Sequence, residues 1–302
     1  MNLSSKISIK QKCKFFFIIG TGRCGTTMMA KVMNAHSQVC VPHELQIIFE
    51  NSNNGARLAE VFSAWKNLGF RAEDYIRLIE ERCPYNFHDY YNYGAFFNKL
   101  HYPILSLRWL LTMLYTDIAY SQGKSIFAEQ TPWYGQNIKL LNRLFPKAKF
   151  IHMVRDGRDV AISFARTPWW YNDVNLNLEQ WERETNKIEQ DGSLLLRERM
   201  LTMRYEDFLL SPEEETKKIC DFLVIPFEKT MLDLKFHIDY RQFYKQRNTG
   251  ITSSAYQKWQ NEKKSAFFGD SVYGWKSNKE VHFDDISKPV LQTLKRFGYE
   301  VQ

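Results

Sequence analysis

Phe15-Phe16-Phe17-Ile18-Ile19-Gly20-Thr21-Gly22-Arg23-Cys24-Gly25-Thr26-Thr27 is the stretch on which the fold turns. Residues 15–19 form a continuous apolar, β-prone run that stops at Gly20, and residues 26–34 suit a helix. The order is strand, tight loop, helix. The spacing Gly20-x-x-x-x-Gly25-Thr26-Thr27 is that of a loop cradling phosphate, where backbone N–H groups and a helix N-terminus present positive potential to an anion. Thr26 stands where a nucleoside-triphosphate loop uses lysine, which weakens a kinase or ATPase reading. The cation lies inside the loop instead, at Arg23, whose planar fork of donors suits a phosphate or sulfate oxygen without a metal. Taken alone, the same residues also describe a glycine-rich turn with a surface arginine. Cys24 fits as a small residue filling the loop.

Working outward, the same grammar recurs. Residues 149–154 are apolar and β-prone, then come polar Arg155-Asp156-Gly157-Arg158-Asp159 and apolar Val160-Ala161-Ile162. Ser163 follows Arg155 by about two helical turns, so the pair can clamp one phosphate. Arg158 and Asp159 suit local ion pairs or caps, and His152, inside an apolar strand, suits the core. Residues 125–128 and 201–205 are further strands, and 138–145, 178–190 and 213–223 are helices. Strands separated by helices predict an α/β fold with a central parallel sheet flanked by helices, and ligands beyond the carboxyl ends of its strands. Residues 51–123 lack strand signals and hold Tyr85, Phe87, Tyr90, Tyr91, Tyr93, Phe96, Phe97, Tyr102 and Trp109; they read as a mostly helical, aromatic-rich insertion over the acceptor side. No linker divides the chain, which predicts one domain over 1–302.

Composition narrows the partners. With 44% hydrophobic and 25% charged residues, the chain has ordinary globular usage, which excludes a disordered or fibrous architecture. A formal charge of +7 points to an anionic partner, and the dispersal of its Lys and Arg argues against a nucleic-acid tail. Cys13, Cys24, Cys40, Cys83 and Cys220 show no Cys-x-x-Cys or Cys/His metal spacing; they read as reduced thiols of a cytoplasmic protein without a metal site. Lys10, Lys12 and Lys14 precede an apolar run too short for a signal peptide, and no stretch nears the ~20 apolar residues of a membrane span.

The two loops together resemble the two nucleotide-binding signatures of sulfotransferases dependent on 3′-phosphoadenosine-5′-phosphosulfate (PAPS). Other segments follow in the family's order. Glu129-Gln130-Thr131-Pro132 and residues 144–151 resemble the approach to the second signature, Tyr205-Glu206-Asp207-Phe208 the adenine-side segment, and Gly274-Trp275-Lys276 with residues 296–300 the carboxyl-terminal pattern. The style is nearest the glycan, tyrosylprotein and bacterial members. The resemblance implies a P-loop NTPase-like sulfotransferase fold, PAPS as donor, 3′,5′-ADP as product and no metal. It implies that Gly22, Arg23, Cys24, Gly25, Thr26 and Thr27 hold the 5′-phosphosulfate, that Arg155, Ser163, Gly274, Trp275 and Lys276 hold the 3′-phosphate, and that Tyr205 approaches the adenine. Many relatives carry lysine at the position of Gln130.

Sulfuryl transfer needs an in-line acceptor, a base and positive charge at the leaving oxygen. Arg23 supplies charge. By the same resemblance Glu44, in Val41-Pro42-His43-Glu44, is the catalytic base, with His43 its nearest rival. The acceptor is a hydroxyl or amine of a carbohydrate, lipid, small molecule or tyrosine, and the oligomeric state stays open. Two other functions share part of these features: a P-loop small-molecule kinase, which leaves Arg155 and Ser163 without a task, and a non-catalytic module for acidic glycans, which leaves the ordered nucleotide signatures unexplained.

Overall fold

The computed structural model describes residues 14–48, 74, 90–97, 107–167, 170–239, 272–281, 283 and 285–301. Its centre is a five-stranded sheet in the order β2-β3-β1-β4-β5, with every pairing parallel. The strands are β1 (Lys14–Gly20), β2 (Val39–Cys40), β3 (Ile126–Glu129), β4 (Lys149–Val154) and β5 (Met200–Arg204). The helices are α1 (Thr26–Asn34), α2 (Tyr93–Phe97), α3 (Leu107–Ser121), α4 (Ile138–Leu144), α5 (Gly157–Ala165), α6 (Val174–Leu195), α7 (Tyr205–Leu210), α8 (Pro212–Leu223) and α9 (Lys288–Arg296).

Strand periodicity explains how β1 fills the middle. Successive side chains point to opposite faces, and both faces are covered, so the whole run is apolar. Phe17 and Ile19 enter a core with Leu110, Leu114 and Ile118 of α3, Ile138 and Leu141 of α4, and Ile188 of α6. Phe16 and Ile18 enter the opposite core with Met29, Ala30 and Met33 of α1, Phe208 of α7, and Ile219 and Cys220 of α8. The chain leaves β1 towards β2 and β3 on one side, then crosses to β4 on the other. The carboxyl end of β1 is therefore a topological switch point, where the loops after β3, β1 and β4 lie side by side.

One expectation changes. Residue 205 was expected to end a strand, but β5 stops at Arg204 and Tyr205 opens α7, its ring buried. β2 escaped notice because its two residues are too short to show a period. Most of 51–123, including Tyr85, Phe87 and Tyr102, lies outside the described residues; within the described part, Tyr91 and Phe96 are core residues. Among the described residues, no helix is long and apolar enough to cross a membrane.

Candidate active site

The loop between β1 and α1 is shaped by backbone. Gly25 is the N-cap of α1 at φ 94, and no side chain caps the helix. The first-turn N–H groups of α1 are thus left for a ligand, with the positive end of the helix dipole behind them. A Cβ at Gly25 would lie 2.3 Å from Cδ2 of Tyr205, so the residue is glycine both for its left-handed φ and for the ring against it. Gly22 faces a similar limit, with Phe164 Cζ at 2.6 Å and Trp133 Cη2 at 2.9 Å from a Cβ there. The Trp133, Phe164 and Trp170 rings form a stacked wall at this point.

Arg23 joins this loop to the second. It sits at φ 67, its Nε donates to Ser163 Oγ on α5 at 3.1 Å, and its carbonyl accepts from Arg155 Nη1 at 3.2 Å. Arg155 and Ser163 are therefore joined through Arg23. The Arg155 guanidinium also lies over the Tyr205 ring, 4.9 Å from its centroid, and its Nη2 is 3.7 Å from Asp159 Oδ2. Cys24 turns inward: its thiol donates to the Thr21 carbonyl at 2.6 Å, and burial pushes it up to about 12. Its side chain fills the loop, and the backbone N–H is what it can offer an anion.

The second loop is braced by side chains. Asp156 caps α5 by accepting from the Arg158 N–H, and its carboxylate takes a bidentate pair from Arg158 Nε and Nη2 at 2.9 and 2.8 Å. Both partners are buried. Trp275 covers the pair, its ring 3.6 Å from the Arg158 guanidinium carbon, its Nε1 donating to Asp156 and its backbone N–H to Asp159. Glu206 accepts from the Asp156 N–H and from the Tyr299 hydroxyl, tying loop, α7 and carboxyl-terminal segment together. Lys276 is exposed and pairs with Glu300. His152 is buried and pushed down to about 3 by desolvation, as a core residue should be.

Glu44 arrives on residues 41–48, which run along the carboxyl end of β3. The Glu44 N–H donates to the Gln130 carbonyl at 3.1 Å, the Leu45 N–H to Glu129 Oε1 at 3.2 Å, and the Ile48 N–H to the Tyr134 hydroxyl at 2.9 Å. Glu44 and Gln46 hold φ values of 23 and 55, so the segment carries strain that its anchors sustain. Burial raises the Glu44 carboxyl to about 7 against the opposing pull of Gln46, Arg23 and Gln130. Neighbouring Glu129 is likewise raised to about 7 by burial, while His43 is pushed down to about 3 by burial and Lys31.

Loop 22–27, Arg23, Ser163, Arg155, Tyr205, Gln130 and Glu44 therefore gather at one end of the sheet, with Trp275 bound to the second loop. Gln130 had appeared in the sequence only as a departure from a pattern, and Asp156 had no assigned part. Gln130 directly follows a strand beside β1, which is the signal that could have found it; the tie of Asp156 to Trp275 spans too much chain to be seen by spacing. Among the described residues, no cluster of three or more His, Cys, Asp or Glu could hold a metal ion.

A parallel sheet whose switch point carries a glycine-rich loop with its own arginine beside a second basic loop defines an α/β protein of the P-loop type. The chain belongs to the sulfotransferase family, whose model matches residues 16–229. It is similar to protein-tyrosine sulfotransferase A of Caenorhabditis elegans, 23% identical over 72% of this chain and 52% of the relative, and to protein-tyrosine sulfotransferase 2 of Gallus gallus, 25% identical with the same shares covered. The chain thus spans about half the length of the curated relatives it matches. The sulfotransferase domain of the Synechococcus PCC 7002 olefin synthase shares its fold, with TM-score 0.61 at 19% identity over 98% of both chains. The sulfotransferase domain from the curacin biosynthetic pathway does so with TM-score 0.60 at 20% identity, over 96% of this chain and 99% of that one.

Proposed function

We propose that this chain is an enzyme that moves the sulfuryl group of PAPS to a hydroxyl or amine, with Glu44 as general base. The observation that carries the reading is a carboxyl raised to about 7 and held beside an anion loop that contains its own arginine. A base of that affinity is about half ionised at neutral pH and accepts a proton readily. His43, pushed down to about 3, is the weaker base.

The donor fits the residues present. The uncapped N-terminus of α1, the left-handed turn at Gly25 and Arg23 form a cradle for the 5′-phosphosulfate; Arg155 and Ser163, joined through Arg23, would hold the 3′-phosphate, and the Gly274-Trp275-Lys276 segment would close that side. Gly22, Cys24, Thr26 and Thr27 would contribute through the loop backbone and the Thr27 hydroxyl, and Tyr205 would border the nucleotide. When bound, PAPS supplies an activated sulfuryl group with a phosphate leaving group. Glu44 takes the acceptor's proton while the acceptor's electron pair forms the new bond to sulfur, and the S–O bond to phosphate breaks with its pair departing on 3′,5′-ADP. Arg23 and the loop N–H groups stabilise the charge on the leaving oxygen. A kinase reading is weaker because Thr26 occupies the lysine position and its hydroxyl is engaged by Gln130. The buried free thiols Cys24, Cys40 and Cys220 support the cytoplasmic location.

The test is Glu44→Gln, assayed with radiolabelled PAPS against tyrosine peptides, simple phenols and glycans. Turnover should fall about 10²–10⁴-fold, while 3′,5′-ADP still raises the melting temperature. Near-normal turnover would remove Glu44 from the mechanism.

A further inference from the structure

Gln130 follows β3 directly, and its fully buried side chain lies between the anion loop and Glu44. Its Nε2 donates to Thr26 Oγ1 at 3.2 Å, its side chain lies near enough to the Glu44 carboxyl to lower that group's proton affinity, and its backbone carbonyl accepts from the Glu44 N–H at 3.1 Å. Residue 130 further forms a parallel bridge with His43. Glu44 is thus tied to the anion loop through a single residue. The Oε1 atom of that residue is buried and, among the described residues, has no hydrogen-bond partner. Buried acceptors are rarely left unmade without a reason.

We propose that Gln130 is a positioning residue that serves Glu44 in both protonation states: its N–H holds the carboxylate awaiting the acceptor's proton, and its Oε1 accepts a hydrogen bond from the carboxyl that has taken it. This rests on the reading of Glu44 as the base. An amide offers donors and an acceptor at one site, whereas a lysine ammonium offers three donors and no acceptor, so glutamine is suited to a partner whose role reverses during the reaction. The proton leaves the acceptor's O–H or N–H and ends on Glu44 as sulfur passes from the phosphate oxygen of the donor to the acceptor atom; no other proton need move in that step.

The groups facing Glu44 fit the scheme. Arg23 from the loop favours the carboxylate, and Glu129 on β3 opposes it, as the mutual charge effect between the two carboxyls requires. His43 beside it is held neutral by burial. Because residue 130 is uncharged, Glu44 keeps its elevated affinity and both of its states are populated near neutral pH.

Gln130→Lys and Gln130→Met in the full chain test this. Two readouts apply: the acid limb of the pH profile of kcat/KM, and the titration of the Glu44 carbonyl band by infrared difference, with Glu44→Gln marking the band. Lysine should move both downward by at least one pH unit and lower kcat at least tenfold, because an ammonium favours the carboxylate and cannot receive the carboxyl proton. Methionine should move the titration upward. In both variants 3′,5′-ADP should still raise the melting temperature. An unmoved Glu44 titration in both variants overturns the proposal. If Glu44→Gln keeps its turnover, the base assignment fails by itself, and the infrared titration, which needs no turnover, still decides the part played by Gln130.

Discussion

The loops that follow β1 and β4 both meet the same crevice, but they are built in opposite ways. The first is a backbone device: a left-handed Gly25, an arginine at positive φ and a helix start without a side-chain cap. The second is a side-chain device, in which Asp156 caps α5 and holds Arg158, while Trp275 and Glu206 lock the carboxylate and its backbone in place. Among the described residues, three of the six non-glycine residues with positive φ, Arg23, Glu44 and Gln46, lie on the β1 side of the site. The contrast assigns a division of labour. Strained, open backbone donors suit the end where charge changes during reaction; a cross-braced loop suits an end that only has to hold the nucleotide still.

The largest effect expected from breaking this contrast is on stability, in the second loop. Asp156→Ala leaves the Arg158 guanidinium buried without its bidentate partner, which should cost about 3–5 kcal/mol, read as a fall in the denaturant midpoint. Arg23→Ala should leave stability nearly intact, since Arg23 is only partly buried, and lower kcat about 10²–10³-fold. Equal stability losses in the two variants would erase the distinction between the loops. Next in size is Gly25→Ala, which forces a side chain into the left-handed region at about 1–2 kcal/mol and against Tyr205; nucleotide binding should suffer more than the melting temperature.

The smallest effect is on pH dependence. Glu44 and Glu129 both have carboxyl affinities raised to about 7 by burial. The folded state therefore binds more protons than the unfolded chain between the ordinary carboxylate range and about 7. Their contribution to stability is fully present below that ordinary range and is lost as pH rises through about 7. With Glu44 as the proposed base, activity should run the other way, because the carboxyl must be ionised to take a proton. Melting scans from acid to mildly alkaline pH should show the decline, and Glu129→Gln should flatten it.

How much of this was legible in sequence differs between the loops as well. The first is local: Gly20 to Thr27 announces its strand, turn and helix in one glance, and all five of the sheet's strands except the two-residue β2 had a signal of their own. Tyr205 was misplaced by one element because a β-prone run does not show where an aromatic begins a helix. The second loop was legible only in part. Arg155 and Ser163 stand out by spacing, but the pairing of Asp156 with Trp275 joins residues 119 apart in sequence. The environment that raises Glu44 could not be read at all, since it depends on β3 lying next to β1, a fact of topology and not of pattern.

If the crevice holds a nucleotide with phosphate at both ends, melting shifts with 3′,5′-ADP, 5′-AMP and ATP–Mg²⁺ reveal it. At about 100 times its dissociation constant a ligand adds about 2.7 kcal/mol to stability. The largest shift is expected for 3′,5′-ADP, with loss of its advantage over 5′-AMP in Arg155→Ala. Equal shifts for 3′,5′-ADP and 5′-AMP in the unaltered chain, or a larger one for ATP–Mg²⁺, would contradict that expectation.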